Sequence, residues 1–155
     1  MTQEGRNQIR KIIPQLKKEK IDLIFSSDLL RTKETAQIVA KALKLKINFD
    51  KRLREQNVGI FNSKPLEKWY SFFKNEKEMF WKRPPKGENR RDVKKRMLDF
   101  LKEIDKKYKN RNILIVSHGD PLFILESAVK GLLEKVMIAK GREKSKIKIG
   151  EFKKL

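Results

Sequence analysis

The sequence predicts an α/β fold, a three-layer α/β/α sandwich built on a largely parallel sheet. Two observations predict it. Short apolar runs of strand length alternate along the chain with amphipathic stretches of helical period, and 155 residues with 38% hydrophobic content suffice for one core. We therefore expect a single domain over residues 1–155, without an internal repeat or a linker.

The first helix is predicted from Thr2, a plausible N-cap, and from apolar side chains at helical spacing. These apolar side chains are Ile9, Ile12, Ile13 and Leu16. Pro14 should kink this helix or shift its start, because proline donates no backbone hydrogen bond. A short buried strand is predicted to follow over residues 21–25.

A second helix is predicted after this strand, with Ser26, Ser27 and Asp28 as candidate caps. Its inner stripe consists of small and apolar side chains: Thr35, Ala36, Val39, Ala40 and Leu43. Residues 47–49 predict another short strand. Strands that alternate with helices in this way are typical of a parallel sheet.

The aromatic-rich segment 69–81 is predicted to be helical and to end before the helix breakers Pro84, Pro85 and Gly87. A long amphipathic helix is then predicted from about Arg90 to Tyr108. One face of that helix is apolar: Val93, Met97, Leu101, Ile104 and Tyr108.

Residues 113–116 form an unbroken apolar run, which predicts a strand covered on both faces. Pro121 is predicted at the first position of the next helix, and Gly131 at the end of the first part of that helix. Residues 147–152 predict a weak final strand.

The net charge of +20 comes from 40 basic and 20 acidic side chains, which are spread along the whole chain. A solvated cationic surface explains this charge, and the alternatives are nonspecific polyanion binding or the steering of anionic substrates. We expect no specific nucleic-acid partner, because such modules concentrate their basic residues on one face and interleave aromatic ones.

The chain contains no cysteine, which excludes disulfides and thiolate metal sites and fits a reducing compartment. No apolar run approaches the length that crosses a bilayer, and the first ten residues hold no apolar signal core. We therefore expect a cytoplasmic protein without a membrane partner. The sequence indicates no particular oligomeric state.

Three polar segments follow predicted strands, at the sheet edge where ligands of α/β proteins bind. In the first, Arg31 falls in the first turn of a helix, where the helix dipole disfavours a cation unless an anion is held nearby. The alternative is an arginine that points to solvent or pairs with a carboxylate such as Glu34.

His118 is the only histidine of the chain, and it comes between the strand 113–116 and the start of a helix. This position aims the imidazole into the crevice, beside backbone N–H groups that favour negative charge. A structural hydrogen-bonding role is the alternative. No metal site is expected, because the chain offers no second histidine and no cysteine.

Glu55 follows the strand predicted over 47–49, so its carboxyl group is within reach of the same crevice. There it would act as a general acid with a raised pKa. The alternative is a surface carboxylate paired with Arg54 or with one of the many lysines.

Taken together and in this order, these segments resemble the histidine phosphatase superfamily, the phosphoglycerate-mutase-like proteins. The resemblance covers nearly the whole chain and rests on four motifs. They are Ser-Ser-x-Leu-x-Arg with Thr-Ala at 26–36, Leu-Arg-Glu and Gly59 at 53–59, Pro-x-Gly-Glu at 85–88 and Ser-His-Gly at 117–119.

The resemblance implies that Arg31 binds phosphoryl oxygens as a bidentate fork, that His118 stabilises the charge of the transferring group, and that Glu55 protonates the leaving oxygen. It also places Ser27 and Gly119 in the phosphate-binding site.

Glu88 would join this binding site by the same resemblance, although capping of the helix that begins near Asn89 explains this carboxylate equally well. The resemblance further implies a phosphorylated small-molecule substrate and a phosphohistidine intermediate, with no cofactor and no metal.

The departure from the family lies at the N-terminus. The family's nucleophile belongs to an Arg-His-Gly motif on its first strand, and this chain has no such motif. Residues 1–6 match a stretch downstream of that strand, so we expect a fragment or a chain that begins at an internal methionine. Without that central strand, backbone groups of strand 113–116 should lack a partner.

Three functions therefore stay open. The chain is a phosphomonoester hydrolase or mutase in its complete form, or a non-catalytic phospho-ligand-binding pseudophosphatase, or a basic nucleic-acid-binding module.

Overall fold

The computed structural model describes residues 1–132 and 150–155. Within them the chain forms helices and strands in this order: α1 (Gln3–Lys18), β1 (Leu23–Ser26), α2 (Leu30–Leu43), β2 (Ile47–Phe49), α3 (Leu66–Ser71), α4 (Glu78–Trp81), α5 (Arg90–Lys107), β3 (Ile113–Val116) and α6 (Gly119–Val129). Two short 3₁₀ turns, Lys51–Leu53 and Gly59–Phe61, lie between β2 and α3. The predicted α/β class and the alternation of strands with helices are confirmed.

The described strands form one parallel sheet in the order β2-β1-β3. Because side chains of a strand point alternately to the two faces, each strand contributes to two cores. On one face Phe25 and Ile115 pack with α5 and α6, whereas on the other Ile24 and Leu114 pack with α1 and α2. Helices therefore cover both faces, which makes the three-layer sandwich.

Helix α1 begins as predicted, because the Thr2 side chain accepts a hydrogen bond from the Gly5 backbone N–H at 3.1 Å. Pro14 lies inside the helix and does not shift its start. Ile9 and Leu16 are buried against the sheet, whereas Ile12 is half-buried.

Two helix starts differ from the prediction. Helix α2 is capped by Leu29 without a side-chain hydrogen bond, since Ser26 and Ser27 belong to the end of the β1 segment. Helix α6 begins at Gly119, with His118 as its N-cap, so Pro121 stands at the third helical position rather than the first. The third position is still compatible with proline, because its N–H would have no intrahelical partner.

The aromatic-rich segment is also not one helix. It forms α3 and α4 with turn residues between them. Three of its rings, Trp69, Phe72 and Phe73, pack with one another and with Phe61 of the preceding turn through edge-to-face and tilted contacts. The strand predicted over 21–25 is β1, which spans Leu23–Ser26.

As its apolar run predicts, strand β3 is covered on both faces, with Ile115 packed on the side of α5 and α6 and Leu114 on the side of α1 and α2, but its residues are only half-buried. The reason is its place in the sheet, since only β1 pairs with it among the described residues. Of the predicted final strand, residues 147–149 lie outside the described residues, and residues 150–155 have no regular secondary structure.

Candidate active site

The carboxyl ends of β1 and β3 bring three predicted site residues together. The Arg31 Nε–H donates to His118 Nδ1 at 3.0 Å, and His118 Nε2 lies 2.9 Å from Ser27 Oγ. Since Nδ1 accepts this hydrogen bond, the imidazole proton is on Nε2 and is donated to the serine oxygen. Residues far apart in the sequence thus form one continuous hydrogen-bonded row.

His118 is buried, with only 5% of its surface exposed. Burial lowers the pKa of its imidazole to about 4, and the positive charges of Arg31 and Arg96 act in the same direction. At neutral pH the ring is therefore uncharged, and it is a hydrogen-bond donor rather than a fixed cation.

Glu55 lies on the other side of the arginine, with its Oε2 atom 3.8 Å from an Nη atom of Arg31. Burial raises the pKa of its carboxyl group, and the nearby Asp120 carboxylate adds to this effect, while the Gln56 N–H and the two arginines Arg31 and Arg96 oppose it. A carboxyl group with a raised pKa is suited to donate a proton.

The structure decides between the partners that the sequence left open for these residues. Glu34 does not pair with Arg31, because its carboxylate binds the Met1 amino group and Arg6. Arg54 does not pair with Glu55, because it forms a bidentate ion pair with Asp28 at 2.6 Å for each contact. These competing ion pairs leave Arg31 and Glu55 facing the shared cavity.

Gly119 also lines the cavity, whereas Ser27 is buried behind His118 and is not part of the cavity lining. Gly119 is the first residue of α6. The first N–H groups of that helix, which have no intrahelical partner, therefore lie beside His118. A Cβ atom at position 119 would meet no other atom within 4 Å, which leaves open space on this side. The Ser27 hydroxyl, besides its contact with His118, accepts from the Leu29 N–H at 3.3 Å.

Glu88 has a different place from the one its motif implies. Its carboxylate pairs with Arg96 at 2.8 Å and accepts from the Asn57 N–H at 2.9 Å. It is neither the cap of α5, which is Asn89, nor in direct contact with Arg31 or His118 among the described hydrogen bonds. Glu88 therefore holds the loop that carries Glu55.

Arg96 is the residue that the sequence analysis missed. From α5 its guanidinium donates to the backbone carbonyls of Arg52 and Glu55, and it pairs with Glu88. The available signal was the position of Arg96 between the core positions Val93 and Met97. It does not stand out in the sequence, because many other residues of this helix are also lysine or arginine.

Gly59 completes the support of this loop. Its φ is +60°, and a Cβ atom there would lie 2.0 Å from the Pro85 carbonyl oxygen. Only glycine permits this approach, which packs the end of the Glu55 loop against the turn at 84–87.

Arg31, Glu55, Ser117, His118 and Gly119 line one cavity of about 780 Å³. The guanidinium and the helix N–H groups favour an anion there, and Glu55 is placed to give it a proton. Within the described part of the chain, no group of three or more metal-ligating side chains is present. No helix in that part is long and apolar enough to span a membrane.

Comparison with known families shows which proteins the chain is similar to. The sequence profile of the histidine phosphatase superfamily (branch 1) matches residues 1–138. The probable phosphoglycerate mutase GpmB of Escherichia coli (strain K12 / DH10B) is 34% identical over 142 residues, which cover 85% of this chain and 64% of that protein. The chain thus spans somewhat less than two thirds of the length of the curated relatives it matches.

Solved structures show the same fold. Bacillus stearothermophilus YhfR superposes with a TM-score of 0.76 at 27% identity, over 88% of this chain and 70% of its own. The mycobacterial glucosyl-3-phosphoglycerate phosphatase, solved with inorganic phosphate, superposes with a TM-score of 0.75 at 24% identity, over 90% of this chain and 73% of its own.

Proposed function

This chain belongs to the histidine phosphatase superfamily, and we propose that its cavity binds the phosphoryl group of a small-molecule phosphomonoester. The observation that carries the proposal is the row Arg31–His118–Ser27, with the Glu55 carboxyl group on the opposite side of the guanidinium. A cation, a neutral imidazole and a protonatable carboxyl group around one cavity match the needs of a phosphate ester.

Each side chain has a distinct part in this proposal. The Arg31 guanidinium takes two phosphoryl oxygens through the Nη atoms of its planar fork, and the uncharged His118 ring holds that fork in place by accepting the Arg31 Nε–H at Nδ1. Glu55, whose pKa burial raises, protonates the ester oxygen as it leaves. Gly119 contributes the N–H groups of the α6 start.

We propose that residues 1–155 alone bind phosphate but do not turn over phosphate esters. The family resemblance implies a phosphohistidine intermediate, and the one histidine of this sequence is already hydrogen-bonded by Arg31 and Ser27. The sequence contains no Arg-His-Gly segment to supply another. Within the family this makes the chain a phospho-ligand-binding protein.

Phosphate binding is tested by isothermal titration calorimetry with inorganic phosphate on the full chain and on Arg31→Ala. Loss of a hydrogen bond to a charged group costs about 1.5–3 kcal/mol, so we expect at least about tenfold weaker binding. Arg10→Ala, which removes an exposed arginine of α1, is the matched control and should bind as the unchanged chain does. Equal affinity for the two variants would refute the site.

Catalysis is tested with p-nitrophenyl phosphate and by trapping of an acid-labile phosphoenzyme. We expect neither steady hydrolysis nor a labelled protein from residues 1–155, because no free imidazole faces the bound group. Steady turnover that disappears in His118→Asn would overturn the proposal of a non-catalytic binder.

Nonspecific nucleic-acid binding is the second candidate, and the net charge of +20 favours it. Binding of a labelled random-sequence DNA duplex, measured by fluorescence anisotropy, would then fall steeply between 50 and 200 mM salt. Binding that is absent, or that does not change over this range, would remove this function.

A further inference from the structure

We propose that Ser27 is a positioning residue, whose hydroxyl group fixes the tautomer of the His118 ring and thereby holds the Arg31 fork ready for the phosphoryl group. The resemblance to the family places Ser27 among the phosphate-binding residues, but its side chain does not line the cavity. Ser27 is completely buried, with 0% of its surface exposed. Its effect on Arg31 rests on the proposed phosphate binding, whereas the tautomer is a property of the ligand-free protein.

The two ring nitrogens of His118 have different partners. Nδ1 lies 3.0 Å from Arg31 Nε, and Nε2 lies 2.9 Å from Ser27 Oγ. Because a guanidinium nitrogen only donates, Nδ1 is the unprotonated nitrogen of the neutral ring, and Nε2 carries the proton. Ser27 Oγ is the acceptor for that proton. In the other tautomer an imidazole N–H would face the Arg31 N–H, and the two donors would repel each other.

Three hydrogen bonds hold the backbone of Ser27 in place. Its N–H donates to the Val116 carbonyl at 3.0 Å, which ties it to β3, the strand that His118 follows. Its carbonyl accepts from Ser26 Oγ at 2.8 Å and from Thr32 Oγ1 at 3.1 Å. The serine hydroxyl therefore has a fixed place relative to the imidazole, and it favours one orientation of the ring.

Burial makes this acceptor important for the ring. The Nε2 side of His118 faces the buried Ser27, and His118 itself is only 5% exposed, so bulk water does not replace the serine oxygen. A buried N–H that loses its acceptor still bears the cost of its desolvation. Without the hydroxyl, the Nε2–H tautomer loses the hydrogen bond that favours it, and the ring is no longer held in the orientation that accepts from Arg31.

The ring in turn determines which atoms Arg31 offers to a ligand. Because His118 Nδ1 accepts the Nε–H, the Nη atoms are left for other partners, and one of them lies 3.8 Å from the Glu55 carboxylate. The Arg31 side chain is 59% exposed, so little else restrains its guanidinium. A guanidinium released from the ring would have to be ordered again when the anion binds, and this ordering lowers the affinity.

The tautomer is tested by NMR on the full chain labelled with ¹⁵N-histidine. His118 is the only histidine of the sequence, so each ring nitrogen gives a signal that needs no further assignment. At pH 7, without phosphate, we expect a proton on Nε2 and none on Nδ1. A proton on Nδ1, or an equal mixture of the two tautomers, in the unchanged chain would overturn the proposal.

Ser27→Ala and Ser26→Ala form a matched pair, because both serines are buried and only the Ser27 hydroxyl contacts the ring. Ser27→Ala should populate both tautomers and should bind inorganic phosphate about tenfold more weakly in calorimetry. Ser26→Ala should keep the Nε2–H tautomer and the affinity, because Thr32 still holds the Ser27 carbonyl. A single Nε2–H tautomer in Ser27→Ala would refute the assigned role, whatever its affinity.

A double variant separates this role from a general loss of structure. If Ser27 acts through the guanidinium, Ser27→Ala should not weaken phosphate binding further when Arg31 is already alanine. Additive losses in the double variant would contradict the proposal. A chain that binds no phosphate would refute the proposed function and with it the consequence for Arg31, whereas the ligand-free tautomer would still decide whether Ser27 fixes the ring.

Discussion

The protonation state of His118 depends on its surroundings in the fold. A histidine at the surface would be partly charged near neutral pH, but burial and the adjacent guanidinium of Arg31 keep this ring neutral. The guanidinium and the neutral imidazole lie side by side because Nδ1 accepts a hydrogen bond from the Arg31 Nε–H. A phosphate dianion beside both groups would reverse the charge effect and raise the pKa of the ring.

The lowered pKa predicts a pH dependence of stability. Between pH 6.5 and about 4 the unfolded chain binds a proton at His118 that the native chain does not bind. The free energy of unfolding should therefore fall as the pH is lowered through this window. Urea unfolding of the unchanged chain and of His118→Asn from pH 4.5 to 7.5 measures this pH dependence. The difference between the two chains isolates the contribution of His118, since the carboxylates titrate in both.

We expect the free energy of unfolding to depend less on pH in His118→Asn, so that the difference between the two chains changes below pH 6.5. Parallel curves over the whole range would show that the native imidazole titrates as an unfolded one does. Glu55 does not mimic this effect, because its raised pKa stabilises the protonated native form at low pH and so acts in the opposite direction.

Helix α5 is the element that supports the site without entering the phosphate-binding row. Its N-terminus carries a capping box in which Asn89 accepts from the Asp92 N–H, and Asp92 accepts from the Asn89 N–H. One turn further, Arg96 holds the Glu55 loop through two backbone carbonyls. Through Arg96, helix α5 thus holds the backbone of the loop that carries Glu55.

Removal of this cap should destabilise helix α5. Asn89→Ala should lower the free energy of unfolding by about 1–2 kcal/mol, because an N–H at the helix start loses its acceptor. The Asn89 amide also donates to the Trp81 carbonyl at 2.9 Å, and this bond is lost as well. Urea unfolding measures the change.

Asn89→Ser is the matched control for this experiment, since serine keeps a capping oxygen and loses only the contact with Trp81. It should be more stable than Asn89→Ala. Stability of Asn89→Ala equal to that of the unchanged chain would contradict the assigned cap.

The whole molecule carries a strong excess of positive charge. The ion pairs at the site loops join arginines to carboxylates, as in Arg54–Asp28, Arg52–Asp50 and Arg96–Glu88. These pairs do not alter the balance of 40 basic against 20 acidic side chains. Repulsion between like charges therefore opposes the compact state and is screened by salt.

This charge excess predicts that salt stabilises the fold. In a phosphate-free buffer, an increase from 0.05 to 0.3 M NaCl should raise the Tm by about 2–4 °C, the shift that 1 kcal/mol produces in a domain of roughly this size. Scanning calorimetry measures it. Arg31→Ala should show the same rise, because screening does not involve the anion site, and a Tm that falls with salt would contradict the prediction.

The order and type of most elements could be predicted from local sequence patterns. Apolar residues at helical spacing predict α1, α2 and α5, and the run at 113–116 predicts β3, because the periods of helix and strand are local properties. These patterns missed the division of the aromatic segment into α3 and α4. The sequence also singled out Arg31, Glu55 and His118 from their motifs.

Only the tertiary structure decided which of these groups meet. Arg31 contacts His118, 87 residues away, instead of Glu34, and Arg54 takes Asp28 instead of Glu55. The reason is physical: an ion pair forms with whichever partner packing brings within reach, and sequence spacing does not encode that distance across a sheet. The half-burial of β3 has the same origin, because the exposure of a strand depends on its neighbours, and within the described residues only β1 pairs with β3.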